Sequence, residues 1–216
     1  MEISFKSVGK SYGETLALDN VSFNIKSGDF VLLVGPSGAG KTTIMKLILG
    51  QIFATTGDIT IDSQPVDSRH RRLDKLRQQI GIVFQDNLLV SDKTIAENID
   101  LVLDINSIPI AKRPEIIKNC LSQVRLGDRL RLFPSQLSAG ELQRACLARA
   151  ISTNPRLILA DEPTGNLDAE NSWEIIKLIQ KYHQTTKTTI ILSTHNSDLI
   201  SSLKYPVIHL ASGKTQ

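Results

Sequence analysis

A glycine-rich segment at residues 35–42 carries the clearest chemical signal in the sequence. It reads Gly-Pro-Ser-Gly-Ala-Gly-Lys-Thr and matches the phosphate-loop pattern G-x-x-x-x-G-K-[ST]. Glycines let main-chain N–H groups approach a polyphosphate closely, and a helix beginning after Gly40 would point its positive end at the same place. Lys41 would add a charge beside the β- and γ-phosphates, and the Thr42 hydroxyl can bind Mg²⁺. A chance match in a turn is the alternative, but the segment lies between an apolar run and a helical pattern, as a phosphate loop requires.

Two adjacent carboxylates, Asp161 and Glu162, follow an apolar run at residues 157–160. At the end of a parallel strand, Asp161 can lie beside the phosphate loop and hold Mg²⁺ through water. Glu162 is a candidate general base for an attacking water. Taken alone, the pair can also be an acidic helix cap. The phosphate loop earlier in the chain favours the metal and base roles.

Gln85 and His195 follow two further β-rich runs, at residues 80–84 and 188–193. Ligands of α/β sheets bind at the carboxyl ends of the parallel strands. The Gln85 amide could therefore reach the metal or the attacking water, and His195 could contact the γ-phosphate. Each residue has a plainer alternative, which is a surface polar residue for Gln85 and a local cap formed with Asn196 for His195.

A second candidate anion site begins at Ser138, where residues 137–143 read Leu-Ser-Ala-Gly-Glu-Leu-Gln. The first N–H groups of a helix and the Ser138 hydroxyl can together bind an anion. Because the chain already has one phosphate loop, a second site makes sense if it serves the nucleotide of another copy. That hypothesis predicts a symmetric dimer with nucleotide in the interface. The alternative is an ordinary N-capped helix.

The elements that must position these residues follow from the apolar pattern. Alternating runs at residues 3–8 and 18–25 predict antiparallel strands, whereas the continuous apolar run Phe30–Val34 predicts a buried parallel strand that leads into a helix at 41–49. The same reasoning predicts further strands at residues 58–61, 80–85, 157–160, 188–193 and 207–210, and a helix at 169–182.

The middle of the chain, residues 90–153, has a mostly helical pattern. Thr94 with Glu97 forms a capping-box sequence, Pro114 fits the first turn of a helix that runs to about 124, and a further helix starts at Ser138. The fold class predicted is α/β, with a phosphate-loop core, an N-terminal antiparallel β-subdomain and an inserted helical subdomain. Residues 1–216 then form one domain, with the α/β core at 1–89 and 154–216 and the helical subdomain at 90–153.

Composition excludes several classes of protein. In 216 residues, 41% are hydrophobic and 22% charged, which is typical of a globular chain rather than a disordered one. The longest apolar run, Phe30–Val34, is far too short to span a bilayer, and no signal core precedes it. The net charge of +3 is dispersed, so nucleic-acid binding is not predicted.

Cys120 and Cys146 are expected to be reduced thiols in a cytoplasm. The basic run at residues 69–77 is either a solvated helix face or a contact with anionic lipid.

The motifs together resemble the ATP-binding subunits of ABC transporters over essentially the whole chain. They occur in that family's order: the phosphate loop, Gln85, the Ser138 segment, Asp161 with Glu162, the segment 166–168, and His195. The resemblance implies an ATPase that forms a homodimer around two ATP molecules with Mg²⁺. It also implies an integral membrane, permease-like partner that holds the chain at the inner, cytoplasmic face of the cell membrane.

The resemblance also assigns roles to individual residues. Tyr12 matches the aromatic residue that stacks on adenine, Ser138 and Gly140 match the signature that contacts the partner's γ-phosphate, and Asp168 matches the aspartate that couples the two sites. The implied catalytic residues are Glu162, His195 and Gln85, and the implied metal residues are Thr42, Gln85 and Asp161. The implied nucleotide-binding residues are Tyr12, Gly35, Pro36, Ser37, Gly38, Ala39, Gly40, Lys41, Thr42, Thr43, Ser138, Gly140 and Asp168.

Two positions depart from the family pattern. Ala139 stands where the family has glycine, so its methyl group could crowd the nucleotide interface. The phosphate loop reads Lys-Thr-Thr where Lys-Ser-Thr is usual, and because Thr42 keeps the hydroxyl, metal binding is expected to survive. Within the family, the phrases at residues 76–86 and 160–168 most resemble a subunit that acts in cell division. Alternatives are a lipoprotein-release or macrolide-type exporter, and a nucleotide-gated scaffold with little turnover.

Overall fold

The structure, a computed structural model, describes residues 1–67, 73–86 and 88–216. The strands in these ranges are β1 (Ile3–Tyr12), β2 (Thr15–Ile25), β3 (Phe30–Val34), β4 (Thr56–Ile61), β5 (Gln64–Pro65), β6 (Ile80–Val83), β7 (Leu157–Asp161), β8 (Thr189–Thr194), β9 (Val207–Ala211) and β10 (Lys214–Thr215). The α-helices are α1 (Lys41–Ile48), α2 (Leu73–Arg77), α3 (Ile95–Ile105), α4 (Arg113–Gln123), α5 (Ala139–Ile151), α6 (Ala169–Thr186) and α7 (Ser197–Ser202).

An antiparallel sheet with the order β2-β1-β4-β5 forms the N-terminal part of the molecule. Ile3 of β1 stands opposite Ile25 of β2 and Ile61 of β4, and all three side chains are buried. Alternation along these strands sends one face of the sheet into the core and leaves the other polar. The antiparallel β-subdomain predicted from the sequence is therefore confirmed.

A second, six-stranded sheet has the order β10-β9-β3-β8-β7-β6, and its strands are parallel except β10, which runs antiparallel to β9. The register pairs Val34 of β3 with Thr194 of β8, and Asp161 of β7 with Ser193 of β8. The carboxyl ends of the three central strands therefore meet at one edge, where ligands of α/β sheets bind.

The core lies on both faces of this sheet. On β3, Phe30, Leu32 and Val34 pack into the cluster on the side of helices α3 to α6, whereas Val31 and Leu33 pack into the cluster on the side of α1 and the antiparallel sheet. A strand covered on both faces needs apolar side chains at every position. This explains why the sequence of β3 is continuously apolar rather than alternating.

Helices α3, α4 and α5 come between β6 and β7 in the chain. Thr94 caps α3 in a complete capping box with Glu97, Ser138 caps α5 in the same way with Glu141, and Pro114 stands in the first turn of α4. These three sequence predictions are confirmed. The boundaries proposed for the two subdomains, at residues 89–90 and 153–154, stay a prediction.

Some element boundaries differ from the sequence predictions. Strand β6 ends at Val83, where its pairing with Ala160 of β7 also ends, so Gln85 lies two residues beyond the strand. Helix α6 continues to Thr186, because the Thr186 hydroxyl donates to the Tyr182 carbonyl at 2.8 Å and Lys187 closes the helix in a left-handed conformation. The strand at 207–210 is not the last one, since β10 follows it.

The short elements α7, β5 and β10 were not predicted, since runs this short leave no readable periodicity. Helix α2 lies in the basic run, for which a solvated helix face was one of the two interpretations. Part of the basic run, residues 69–72, lies outside the described residues. No helix in the described ranges combines the length and the hydropathy that crossing a membrane requires.

Cys120 and Cys146 are buried and not joined by a disulfide, and burial raises the pKa of the Cys120 thiol to about 12 and that of Cys146 to about 11.

Candidate nucleotide-binding site

The loop at residues 35–42 joins β3 to α1 and depends on glycine for its shape. Gly38 and Gly40 have φ angles of 78° and 107°, in the left-handed region that side chains rarely adopt. Gly35 lies directly against the Leu210 carbonyl of β9, which leaves no room for a β-carbon. Gly40 is the N-cap of α1, so the helix N-terminus opens towards the loop. This is the geometry that the phosphate-loop sequence predicts.

Lys41 is almost completely buried, with 5% of its side chain exposed. Its Nζ donates to the carbonyls of Gly35 and Pro36 at 2.8 and 3.0 Å, and lies 3.1 Å from Oε1 of Glu162. A buried ammonium group needs several acceptors to offset its loss of water. The loop and Glu162 provide them, and they hold the charge at the mouth of the loop.

Thr42 and Asp161 meet where the phosphate loop approaches the end of β7. Thr42 Oγ1 donates to Asp161 Oδ2 at 2.9 Å, and Ser193 Oγ of β8 donates to Asp161 Oδ1 at 2.6 Å. Asp161 is buried, and the Ser193 hydroxyl fixes its orientation. A hydroxyl and a carboxylate oxygen side by side are hard donors of the kind that Mg²⁺ prefers. These two residues therefore fit the metal predicted for them.

Glu162 joins the phosphate loop to the end of β8. Its Oε1 lies 3.1 Å from Lys41 Nζ, and its Oε2 lies 2.8 Å from His195 Nδ1. Its backbone φ of 45° is unusual for a residue with a side chain, and its main-chain N–H donates to Ser193 Oγ at 2.8 Å. Non-glycine residues held in this region cluster at functional sites. Ser193 thus orients the Asp161 carboxylate and the main chain of Glu162.

His195 is not a helix cap. Asn196 caps α7, because its Oδ1 accepts from the N–H groups of Asp198 and Leu199 at 2.9 and 3.2 Å. His195 is instead held by Glu162 and is 60% exposed, so one edge of its ring remains accessible to a ligand. The structure brings together Lys41, Glu162 and His195, three of the predicted site residues.

Gln85 lies against a different part of the site. Its Nε2 is 3.5 Å from Asn166 Oδ1, Asn166 Nδ2 is 3.4 Å from the Gln85 carbonyl, and a β-carbon on Gly165 would press on the Gln85 amide. These long contacts link the segment after β6 to the loop between β7 and α6. The metal and water roles of Gln85 stay a prediction.

The remaining predicted residues lie on other elements. Tyr12 is half exposed at the end of β1, paired with Thr15 of β2, the strand that also lies against Gly40 through Ala17. Ser138 and Gly140 form the start of α5, and Asp168 is the N-cap of α6. In the described residues, no hydrogen bond or ion pair joins the start of α5 to the phosphate loop.

Two polar residues of this region were missed in the sequence. Ser193 orients Asp161 and Glu162, and its signal was its position at the end of a strand beside β7. Asn171 donates to both carboxylate oxygens of Asp168 at 2.8 Å, through its main-chain and side-chain nitrogens. These two hydrogen bonds lower the pKa of Asp168. The sequence indicated neither that Asp168 would cap α6 nor that Asn171 would face another helix.

Comparison with known proteins adds to this geometry. The ABC transporter family profile matches residues 18–165. The cell division ATP-binding protein FtsE of Bacillus subtilis is 38% identical over 98% of this chain and 93% of its own length. The methionine import ATP-binding protein MetN of Corynebacterium glutamicum is 35% identical over 98% of this chain and 61% of its own length.

A solved structure matches nearly the whole chain. The dimeric, post-hydrolysis structure of the ATP-binding cassette MJ0796, bound to ADP and Pi, is 34% identical to this chain. It superposes with a TM-score of 0.88 over 99% of this chain and 96% of its own. With the phosphate loop and the carboxylate pair in place, these matches show that the chain belongs to the ABC transporter family, as one of its ATP-hydrolysing cassettes.

Proposed function

We propose that two copies of this chain close around two ATP molecules, hydrolyse them, and thereby drive a membrane partner. The observation that carries the proposal is the contact of Lys41 with Glu162, and of Glu162 with His195, at the mouth of the phosphate loop. These contacts support the proposal because Lys41, the proposed phosphate-binding cation, and Glu162, the proposed base, lie side by side at the phosphate loop. Positioning and charge stabilisation are what phosphoryl transfer requires of a protein.

Each side chain of the site has its own role in the proposed hydrolysis of ATP. When bound, Mg²⁺ would neutralise charge on the β- and γ-phosphates, and Thr42 with Asp161 would hold it. Lys41 turns from Glu162 to the arriving phosphates, which carry more negative charge than one carboxylate. Glu162, released from Lys41, accepts a proton from the attacking water. His195 stays beside Glu162 and contacts the γ-phosphate.

The dimer is supported by the position of α5. Its N-terminus at Ser138 is exposed and lies on the inserted helices, so a second copy is a suitable source of the phosphate it would bind. The solved relative MJ0796 is described as dimeric. In a symmetric pair, Ser138 and Gly140 of each copy face the nucleotide held by the other copy's phosphate loop.

A groove beside the Gln85 segment is the proposed contact for the membrane partner. It encloses about 430 Å³ between β6, α3 and α5, and its floor is mostly apolar, with Ile82, Phe84, Val102 and Ile105. Ile105 is 59% exposed at the edge of this groove, so a partner can reach it. The groove is suited to one amphipathic helix of a permease-like protein.

The finer assignment follows the relatives. We infer that the chain acts as FtsE does in cell division, with an FtsX-like integral membrane partner, and that the pair controls peptidoglycan hydrolases. The chain would then be cytoplasmic, held at the inner face of the cell membrane through its partner, with no role for nucleic acid. The α/β core at 1–89 and 154–216 would bind nucleotide, and the helical subdomain at 90–153 would carry Ser138 and part of the groove.

A transport role is the second candidate, because MetN, a methionine import ATP-binding protein, is nearly as similar as FtsE. Lipoprotein-release and macrolide-type export, and a scaffold that binds ATP with little turnover, complete the alternatives. Both transport and cell division use the same site chemistry. They differ in the partner, so the experiment must identify the partner.

The test combines partner capture with hydrolysis. The chain is co-expressed with an FtsX-like protein or with an import or export permease, and phosphate release is measured in nanodiscs. We expect only the FtsX-like protein to co-purify and to raise turnover. Ile105→Asp should abolish both effects while ADP still binds, and Ile110→Asp, at an exposed residue outside the groove, is the matched control. Stimulation by a transport permease alone would overturn the cell-division assignment.

A further inference from the structure

Asn171, in the first turn of α6, connects two segments of the chain that lie far apart in sequence. Its main-chain N–H donates to Asp168 Oδ1 and its side-chain Nδ2 donates to Asp168 Oδ2, both at 2.8 Å. A carboxylate accepts hydrogen bonds and cannot donate them. The orientation of the Asn171 amide is therefore fixed by chemistry, with Nδ2 towards Asp168 and Oδ1 on the opposite side.

The Oδ1 side of Asn171 faces Gly140, in the first turn of α5. A β-carbon built on Gly140 would collide with Asn171 Oδ1 and would lie 2.8 Å from its Cγ. Gly140 is buried, and its φ is not among the positive values of the chain, so this position does not need glycine for its backbone conformation. It needs glycine because the Asn171 amide occupies the space of a side chain.

We propose that Asn171 is a positioning residue that couples Asp168 to the start of α5 within one copy of the chain. The proposal rests on the proposed function, in which the start of α5 contacts the nucleotide of the other copy, and on the role in coupling the two sites that the family resemblance implies for Asp168. Through Asn171, the loop before α6 and the Ser138–Gly140 segment move as one unit. When the dimer closes on one nucleotide, the loop before α6 then sets the position of the Ser138–Gly140 segment, which contacts the second nucleotide.

The hydrogen bonds of Ser138 do not themselves reach α6. Ser138 is held by Glu141 of its own helix, at 3.0 Å from both its N–H and its hydroxyl, and Glu141 lies 3.2 Å from Nε of Arg129. Those contacts stay within the helical insertion. Asn171 of α6 reaches the first turn of α5 at Gly140, and the ion pair of Arg144 with Glu174, at 3.2 Å, joins the same two helices further along.

A double-mutant cycle tests the coupling. Asn171→Ala removes both the hydrogen bond to Asp168 and the steric contact with Gly140, and we expect kcat to fall about tenfold with ADP affinity unchanged. Gly140→Ala should reduce kcat further in the wild-type background than in the Asn171→Ala background, by at least about threefold, because the collision is then absent. Asn119→Ala, at an exposed residue of α4, is the control. Losses that simply multiply would overturn the proposal.

Two further measurements separate this proposal from the proposed function. Asn171→Asp keeps the shape and Oδ1 but sets a second carboxylate against Asp168, so its kcat should fall as for Asn171→Ala. Hydrogen exchange of residues 137–143 in the nucleotide-free chain should speed up several-fold in Asn171→Ala and not in Asn119→Ala. Unchanged exchange would overturn the coupling whether or not the chain hydrolyses ATP. Faster exchange in a chain whose wild type fails to hydrolyse ATP would sustain the coupling and refute the proposed function.

Discussion

At the scale of single residues, the Lys41 ammonium group must exchange its present partners for phosphate oxygens when a nucleotide binds. Its ammonium group is held by two carbonyls of its own loop and by Glu162, and it is almost entirely out of water. A triphosphate offers several charged oxygens in place of one carboxylate, so the exchange favours binding. In the proposed mechanism, the same exchange would release Glu162 for proton transfer and so tie nucleotide binding to activation of the base.

Lys41→Ala should therefore weaken ATP binding strongly. The variant loses the charge that offsets the triphosphate in a partly dry site, and we expect the Kd to rise at least about tenfold. Titration of fluorescent ATP with Mg²⁺ measures it. Lys46→Ala, on the exposed side of the same helix, is the matched control and should bind as wild type does. Equal affinity of Lys41→Ala and wild type would contradict the phosphate-loop assignment.

Glu162→Gln should separate binding from hydrolysis. The amide keeps the size of the carboxylate but cannot take a proton from water, so phosphate release should fall at least about a hundredfold. ATP binding should persist, and the ATP-bound dimer should accumulate. Size-exclusion chromatography with Mg·ATP measures the dimer. A variant that remains monomeric while saturated with nucleotide would count against the dimer.

At the scale of elements, the caps were readable from the sequence and the contacts between elements were not. A capping box is local, because Ser138 and Glu141 are three residues apart and bond to each other. The contact of Gly140 with Asn171 joins residues 31 positions apart, and no local rule predicts it. The same holds for Lys41 and Glu162. Their types and order were readable, but their ion pair depends on the register of β3, β8 and β7.

The capping box of α5 should make stability depend on acid pH. Hydrogen bonds from the N–H and hydroxyl of Ser138, together with Arg129, lower the pKa of Glu141. A lowered folded-state pKa gives stability that is present above the unfolded value of about 4.3 and is lost as the pH falls through the folded value. The free energy of unfolding in urea is measured at about pH 6 and at about pH 3. Between these two pH values, Glu141→Gln should lose less stability than wild type.

The control for this prediction is Glu115→Gln. Glu115 lies in the first turn of α4, a helix whose N-cap makes no side-chain hydrogen bond. This variant should follow the wild-type pH dependence. If Glu141→Gln and wild type lose stability in parallel, the capping carboxylate contributes nothing to the acid dependence.

At the scale of the whole molecule, α5 connects the two proposed contact surfaces. Its N-terminus carries Ser138, and its other end lines the groove with Arg149 and Ala150. A helix of 13 residues is about 20 Å long, so α5 directly connects the groove to Ser138. The Arg149 guanidinium also donates to the Leu88 carbonyl, which ties the segment after Gln85 to this helix. A partner seated in the groove can therefore bias the position of Ser138.

The two-surface arrangement was only partly predictable. The sequence located Ser138 and Gln85, because both belong to motifs. The link between them depends on where the last turn of α5 meets β6, and Gly81 has no room for a β-carbon because the Ala150 carbonyl lies against it. That close packing was invisible in sequence, where Gly81 is only a glycine within an apolar run.

Ala139 determines how strongly ATP hydrolysis should depend on a membrane partner. It is exposed in the single chain, at the first position of α5 and between Ser138 and Gly140, so its methyl group is accessible to a second copy. Overpacking of a close interface costs about 1–3 kcal/mol, which weakens closure roughly tenfold or more. The lone chain should therefore hydrolyse ATP slowly, and a membrane partner that stabilises the closed state should raise its turnover.

Ala139→Gly should accelerate the lone chain and reduce its dependence on the partner. Removing the methyl group relieves the crowding, so turnover of the lone chain should rise about tenfold. Phosphate release is measured for both forms, with and without the partner in nanodiscs. Ala96→Gly, in the first turn of the similarly capped α3, controls for the helix propensity of glycine. Equal rates for both forms with no effect of the partner would refute both the crowding and the partner-gated motor. Persistent ATP binding with no hydrolysis under any condition would favour the nucleotide-gated scaffold, because closure would then occur without turnover.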